Sequence, residues 1–130
     1  MHPEILIADD DPAMLKIYSR VFSGQGYAVT FANSVTAASA LIKANHYDLL
    51  ITDLMFPDGK GTALITIFKR NRDRAKCILV TGSWSEVDQE QLPALAAYFE
   101  KPLNVEALLA AVTKALAPDL PQRAGGNGET

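Results

Sequence analysis

Carboxylates follow two separate aliphatic runs of this sequence, in a pattern that could bind a metal ion. The run "ILIA" leads into Asp9, Asp10 and Asp11, and the run "LLIT" leads into Asp53. Carboxylates held within a few ångströms of one another repel unless a cation lies between them or one takes up a proton. Because the candidate ligands are all oxygens, with no histidine or cysteine nearby in the sequence, the pattern favours a hard ion such as Mg²⁺. Asp9 and Asp10 are then expected at the metal, and Asp11 as the cap of a helix that begins with Pro12.

Two other polar residues also lie at the ends of apolar runs. Thr81 ends the run "ILVT", and Lys101 follows "YFE". For each residue taken alone a simpler role is open, because acidic residues are common in strand-to-helix loops, a threonine can bond backbone and a lysine can be merely solvated. The metal-site hypothesis depends on the fold bringing all of them to one place.

The elements that would do this are short strands separated by helices. Residues 5–8, 49–51 and 77–80 are unbroken aliphatic runs, typical of strands buried on both faces of a parallel sheet. Residues 27–31 predict a strand nearer the edge, and residues 97–99 a weaker one. Parallel strands alternating with helices give an open sheet wrapped on both faces, and chemistry in such sheets collects beyond the carboxyl ends of the strands.

Helical stripes lie between these strands. Ser34 and Asn104 are the expected N-caps of the second and the last helix, and Leu64 to Phe68 mark the third. The segment "SEVDQEQLPAL" makes a poorer fourth helix, because Pro93 would end or kink it.

Composition indicates one ordinary soluble domain. The chain has 130 residues, 48% of them hydrophobic and 21% charged, and a net charge of −3, which argues against nucleic acid or a membrane as a direct partner. Its single cysteine, Cys77, excludes an internal disulfide and is expected to be buried. With no membrane span or signal peptide in the pattern, we expect a cytoplasmic protein. The predicted domain covers residues 1–117, and residues 118–130 predict a disordered tail or linker.

Four segments together resemble the receiver domain of two-component response regulators. They are the acid pair Asp9-Asp10, the segment "DLLITDLMFPDGKG" around Asp53, the hydroxyl segment "ILVTGS", and "YFEKPL" with its lysine before Pro102. Each segment alone is a weak signal, but the four occur in order at nearly the family spacing. The resemblance implies an α/β flavodoxin-like fold, with a doubly wound five-stranded parallel sheet of order 2-1-3-4-5 and five helices.

The resemblance also implies a phosphoprotein that acts in phosphorelay signal transduction. Asp53 would accept a phosphoryl group from a phosphohistidine on a histidine kinase or histidine phosphotransfer protein. Lys101 and Thr81 would contact that group. The implied cofactor is Mg²⁺, held by Asp9, Asp10, Asp53 and the backbone carbonyl of Met55. Such a chain is a signalling receiver and not an enzyme, since it catalyses only its own phosphorylation and dephosphorylation.

Output in this family passes through a switch pair, here Thr81 and Tyr98. Tyr98 would rotate as Thr81 moves toward the phosphoryl group, altering the surface of the fourth helix, fifth strand and last helix. A downstream partner, an output domain or a second copy in a homodimer could bind this surface. Only 20 positions separate Thr81 from Lys101 (101 − 81), fewer than is usual in the family, which indicates a short or displaced fourth helix. A cis bond between Lys101 and Pro102 is typical of the family.

Two other functions compete with the receiver. A haloacid-dehalogenase-like phosphatase also begins with a strand and "DxD", here Asp9 and Asp11, but nothing after Lys101 supplies its further acidic strand end. The other is a pseudo-receiver scaffold that is never phosphorylated. Such a scaffold would have no need of the full set of polar residues, which are Asp9, Asp10, Asp53, Thr81 and Lys101. Trp84, in the loop beside the expected site, either covers a small apolar gap or contacts a partner.

Overall fold

Five parallel strands form the main sheet of the computed structural model, which describes residues 2–71 and 75–118. They are β1 (Glu4–Ala8), β2 (Ala28–Ala32), β3 (Leu49–Thr52), β6 (Lys76–Thr81) and β7 (Ala97–Glu100). Their order across the sheet is β2-β1-β3-β6-β7. The chain also forms a small separate hairpin of β4 (Met55–Phe56) and β5 (Gly59–Lys60). Counted without that hairpin, the order of the main sheet is 2-1-3-4-5, so the predicted flavodoxin-like α/β fold is confirmed.

The three central strands, β1, β3 and β6, are buried on both faces, as their unbroken aliphatic runs predicted. Side chains of a strand alternate between faces, and β1 accordingly contributes Leu6 and Ala8 to one core cluster and Ile5 and Ile7 to the other. Cys77 is fully buried, as expected.

Two helices cover each face of the sheet. Helices α1 (Pro12–Phe22) and α4 (Val105–Leu116) pack on the Ile5 side, and α2 (Val35–Ala44) and α3 (Gly61–Asn71) pack on the Leu6 side. None of the helices in the described part of the chain has the length and apolarity needed to cross a membrane.

Three of these helices begin at the predicted N-caps. The side chains of Asp11, Ser34 and Asn104 accept backbone N–H bonds of 2.9, 3.0 and 3.0 Å from the first turns of α1, α2 and α4. Each cap satisfies a donor that the helix itself cannot pair, which typically contributes about 1 kcal/mol.

The fourth helical segment is two short 3-10 helices, Trp84–Glu86 and Gln89–Ala94. Pro93 lies inside the second one, where its missing N–H and ring do not suit a regular α-helix. The expectation of a poor fourth helix is therefore confirmed.

One element was not predicted. Directly after β3 the chain forms a two-stranded antiparallel hairpin of β4 (Met55–Phe56) and β5 (Gly59–Lys60), in a segment where no strand was predicted. The predicted disordered tail lies, apart from residue 118, outside the described residues.

Candidate functional site

Strand register places Asp9 beside Asp53. In the β1–β3 pair Ala8 lies opposite Thr52, so the residue that follows each strand emerges at the same edge of the sheet. The Asp53 N–H donates to the Ala8 carbonyl at 3.0 Å, which continues the ladder one residue further. The convergence expected from the sequence is therefore a direct result of strand pairing.

Three carboxylates form an acidic pocket at this edge. Asp9, Asp10 and Asp53 each offer an oxygen, and these oxygens lie within 4.8 Å of one another. Asp9 is fully buried, Asp53 is 9% exposed and Asp10 faces solvent. The carboxylate of Asp11 caps α1, as predicted. The pocket therefore offers three carboxylate oxygens, two of them from buried residues. Such donors fit a hard divalent cation, so the pocket could bind a metal ion.

Lys101 reaches into this pocket from the end of β7. Its ammonium Nζ donates to Asp9 Oδ2 at 3.0 Å and to Asp53 Oδ2 at 2.9 Å. The Lys101 side chain is 21% exposed and its partners are nearly buried, so water screens these two ion pairs less than it screens surface pairs. The Lys101 ammonium therefore links Asp9, which follows β1, to Asp53, which follows β3.

The pKa values of Asp9, Lys101 and Tyr18 are shifted by burial and by neighbouring charges. Burial raises the pKa of Asp9, although hydrogen bonds from the Asp11 N–H and from Lys101 partly offset the effect. Burial alone would lower the pKa of Lys101, but hydrogen bonds and charge interactions with Asp53 and Asp9 raise it overall. Beneath the pocket, burial raises the pKa of Tyr18, with the charges of Asp9 and Asp53 adding to the effect. The pocket thus holds more negative charge than one lysine neutralises.

The backbone around Asp53 is tightly fixed. Asp53 Oδ1 accepts the N–H of Leu54 at 2.6 Å, and the Thr52 hydroxyl donates to the Asp53 carbonyl at 2.8 Å. Gly61, the first residue of α3, lies so close that a Cβ there would overlap the Asp53 carbonyl oxygen. Glycine at position 61 is therefore required by close approach of the backbone.

Thr81 ends β6 at the same edge and is fully buried. Its hydroxyl oxygen accepts the N–H of Ser83 at 2.9 Å, and its carbonyl accepts the N–H of Lys101 at 2.9 Å. The peptide bond from Lys101 to Pro102 is cis, as the family resemblance implied. Met55, two residues after Asp53, begins strand β4.

Comparison with known proteins identifies the family of this chain. The sequence pattern of the response regulator receiver domain matches residues 5–113. The chain belongs to that family. The receiver domain is 33% identical over 111 residues to the acid tolerance regulatory protein ActR of Rhizobium meliloti, a match that covers 83% of this chain and 57% of ActR. It is 26% identical over 119 residues to the transcriptional regulatory protein GlrR of Escherichia coli, covering 90% of this chain and 27% of GlrR. The chain thus spans 57% of the length of ActR and 27% of the length of GlrR.

Solved structures share the fold of this receiver domain. A CheY-like receiver domain protein from Methanospirillum hungatei superposes with a TM-score of 0.78 at 31% identity, covering 88% of this chain and 93% of that one. The response regulator protein TrrA of Thermotoga maritima, solved in complex with Mg²⁺-BeF, has a TM-score of 0.78 at 27% identity, covering 88% and 99%.

Tyr98 of the receiver domain points outward from β7. It is 46% exposed, and its ring stacks on that of Trp84, with centroids 5.2 Å apart and an interplanar angle of 27°. No sequence pattern connects these two aromatic residues, and their contact was not predicted. Parallel pairing of β7 with β6, which ends three residues before Trp84, is the signal that could have brought them together.

Asp58 is a second feature that the sequence analysis missed. It lies in the β4–β5 turn, and its carboxylate accepts bonds from the N–H groups of Val35 and Thr36 at 3.0 and 2.9 Å and from the Thr36 hydroxyl at 2.8 Å. The carboxylate thereby ties the loop after Asp53 to the N-terminus of α2, where a negative charge is favourable. An aspartate in a "PDG" turn gave a local signal for a turn, but none for a partner more than 20 residues away.

Proposed function

We propose that this chain is the phosphoacceptor receiver of a two-component phosphorelay, with Asp53 accepting the phosphoryl group. The observation that carries the proposal is the position of Lys101, whose ammonium lies 2.9 Å from Asp53 Oδ2 and 3.0 Å from Asp9 Oδ2. A structural ion pair needs one carboxylate. A lysine shared by two carboxylates, with a third at the rim, instead suits a site that exchanges its charges when a cation and an anionic group arrive.

The acidic pocket would hold Mg²⁺ through Asp9, Asp10, Asp53 and the backbone carbonyl of Met55. The donors are oxygens only, and the net charge of the three acids and one lysine is negative, which fits a small hard cation. When bound, the ion supplies positive charge that lets an anionic phosphoryl group approach a carboxylate. TrrA, the relative solved with Mg²⁺-BeF, supports this choice of ion by analogy.

The residues of the chain have distinct roles in the transfer. The Asp53 carboxylate attacks phosphorus, and an O–P bond forms while the P–N bond of the donor phosphohistidine breaks and its electron pair leaves with the imidazole. Lys101 moves its hydrogen bonds from the carboxylates to a phosphoryl oxygen, as suits a compact ammonium on a flexible stem. The Thr81 hydroxyl donates to another oxygen. Most of the rate comes from such positioning and charge neutralisation.

Readout would pass through Thr81 and Tyr98. Thr81 is fully buried, whereas Tyr98 is 46% exposed on the neighbouring strand, so a change at the site can reach the surface across one strand pair. The surface affected consists of the two 3-10 helices, β7 and α4. A downstream partner, an output domain or a second copy of the chain would bind there.

The wider assignments belong to the same proposal. The phosphoryl donor would be a histidine kinase or a histidine phosphotransfer protein, by analogy with the regulators that this chain resembles. We take residues 1–117 as the domain and residues 118–130 as a tail or linker. A cytoplasmic location stays a prediction, as does the lack of direct binding to nucleic acid.

The phosphatase alternative fits the geometry less well. It would use Asp9 and Asp11 as its two catalytic acids, but the Asp11 carboxylate is bonded to the Ala13 N–H as a helix cap. It also leaves unexplained why Lys101 contacts Asp53.

Acetyl phosphate labelling tests the proposal. Incubation with acetyl phosphate and Mg²⁺ should add one phosphoryl group to the chain, as seen by intact mass, and chelation of Mg²⁺ should prevent it. Asp53→Asn should abolish uptake, whereas the matched change Asp58→Asn, in the same loop, should retain it. A wild-type chain that binds neither Mg²⁺ nor phosphate would instead be a pseudo-receiver scaffold. Repeated turnover of phosphate monoesters would indicate a phosphatase.

A further inference from the structure

The stacked pair Trp84–Tyr98 links the loop after Thr81 to the surface of β7. The two rings lie 5.2 Å apart at an angle of 27°, close to parallel. Trp84 is half-buried, and Tyr98 is 46% exposed. Tyr98 projects from the sheet toward solvent, and its stack on the indole restricts the direction of its ring. Aromatic pairs of this kind stabilise a conformation beyond the area that they bury.

The indole is itself connected to the acidic pocket through a short stretch of backbone. The Ser83 N–H donates to the Thr81 hydroxyl oxygen at 2.9 Å. Ser83 is the N-cap residue of the first 3-10 helix. The Glu86 N–H donates to the Ser83 carbonyl at 2.9 Å, and the Val87 N–H donates to the Trp84 carbonyl at 3.0 Å. Hydrogen bonds therefore connect the Thr81 hydroxyl to the turn that carries the indole. A displacement of the hydroxyl toward Asp53 would break the bond to Ser83 and free the turn that carries Trp84.

We propose that Trp84 is a positioning residue, which holds Tyr98 outward in the unphosphorylated domain and releases it when Thr81 engages the phosphoryl group. This inference depends on the proposed function, because it needs Asp53 as the phosphoacceptor and Tyr98 as the moving residue. The inference adds a contact, the Trp84–Tyr98 stack, that opposes the inward rotation of Tyr98. The strength of this stack would set the equilibrium between the outward and inward states of Tyr98. Since the stack is present in one state only, its loss shifts the equilibrium by the stacking free energy.

The expected size of this shift follows from the strength of aromatic pairs. Such pairs typically contribute enough to change an equilibrium constant by between about two- and tenfold. Trp84→Leu keeps an apolar side chain over the loop but removes the stack, so it should favour the inward state of Tyr98. Any ligand that mimics the phosphoryl group should then bind more tightly by the same factor. Trp84→Phe keeps an aromatic ring and should stay closer to the wild type.

The test is a double-mutant cycle with beryllofluoride and Mg²⁺ as the phosphoryl mimic, followed by calorimetry. Trp84→Leu should tighten binding about two- to tenfold, and should have no effect when Tyr98 is already alanine. Tyr27→Ala, which removes the contact of Tyr27 with Phe22, is the matched control and should leave the affinity unchanged. An unchanged or weaker affinity for Trp84→Leu, or an equal gain in the Tyr98→Ala background, would overturn the inference.

Fluorescence gives a second readout in the unmodified protein, since Trp84 is the one tryptophan in the sequence. Its emission should shift to longer wavelength as beryllofluoride binds, because the indole loses its aromatic neighbour. The shift should saturate with the calorimetric affinity and be absent in Asp53→Asn. If the wild type binds no beryllofluoride, the proposed function itself fails. If it binds while the emission stays constant, the inference about Trp84 fails and the phosphoacceptor proposal stands.

Discussion

The ammonium of Lys101 lies 2.9 Å from the carboxylate of Asp53, although 48 positions separate them in the chain. The same ammonium contacts Asp9 at 3.0 Å, from 92 positions away. Parallel strands β1, β3, β6 and β7 end at one edge of the sheet, and this topology creates both contacts. Since the ends of these four strands must be in place, the site forms only in the folded domain.

We expect replacement of Lys101 to impair phosphoryl uptake more than folding. Lys101→Ala removes the group that would bind the phosphoryl oxygen, and loss of one such donor typically lowers a rate by about 10²-fold or more. Lys101→Arg should rescue little, because a planar guanidinium does not fit the space of a compact ammonium shared by two oxygens. Uptake from acetyl phosphate, followed over time by intact mass, measures both variants. Uptake at the wild-type rate in Lys101→Ala would exclude the proposed role.

Gly61→Ala should destabilise the domain and disturb Asp53. A Cβ at this position would overlap the carbonyl oxygen of Asp53 and come within 2.9 Å of the Thr52 hydroxyl. Overpacking of this kind costs about 1–3 kcal/mol of unfolding free energy, which urea denaturation can measure. Gly82→Ala is the matched control, because its Cβ would meet the Lys101 side chain at an ordinary 3.9 Å. Equal stability of the two variants would contradict the close approach at Gly61.

Asp9→Asn should raise the melting temperature of the metal-free protein by a few degrees. Burial raises the pKa of Asp9 above its ordinary value of 3.8, so its contribution is favourable at low pH and is lost as pH rises through the raised pKa. A neutral amide removes that loss and can still accept the N–H of Asp11. The variant should also gain less stability from added Mg²⁺ than the wild type. Thermal melts with and without Mg²⁺ test this, and a lower melting temperature in the metal-free variant would contradict it.

We expect the stabilising contribution of the Asp58 carboxylate to be lost in acid. Hydrogen bonds from the Thr36 N–H, the Val35 N–H and the Thr36 hydroxyl lower the pKa of Asp58 below 3.8. Its contribution is therefore complete above pH 3.8 and disappears as pH falls through the lowered pKa. Asp58→Ala should reduce stability at neutral pH and narrow the difference from the wild type in acid. Melts across this pH range provide the measurement, and a pH-independent difference would argue against the charged cap.

Much of this geometry was predictable because it depends on local signals. Unbroken aliphatic runs identified β1, β3 and β6, and the side chains of Asp11, Ser34 and Asn104 marked the starts of three helices. Parallel strands then place Asp9 and Asp53 at the same edge of the sheet. That β1 and β3 are neighbours, so that the two residues meet, was implied only by the resemblance to receiver domains.

The remaining contacts depend on pairs that no local pattern specifies. Asp58 caps α2 across 22 and 23 positions, and it lies in the turn of a hairpin that was not predicted. The Trp84–Tyr98 stack depends on the shape of the turn after Thr81, where a weak helical sequence allowed several conformations. Side-chain contacts between loops that are distant in the sequence cannot be predicted from local patterns of residue types.

Chemical mapping of the phosphoryl group tests the central claim most directly. After labelling with acetyl phosphate and Mg²⁺, borohydride reduces an aspartyl phosphate to homoserine, which peptide mass spectrometry can locate. We predict homoserine at position 53, with Asp9, Asp10 and Asp58 unmodified. Homoserine at another position, or a phosphate that resists borohydride on a serine, threonine or histidine, would contradict the account.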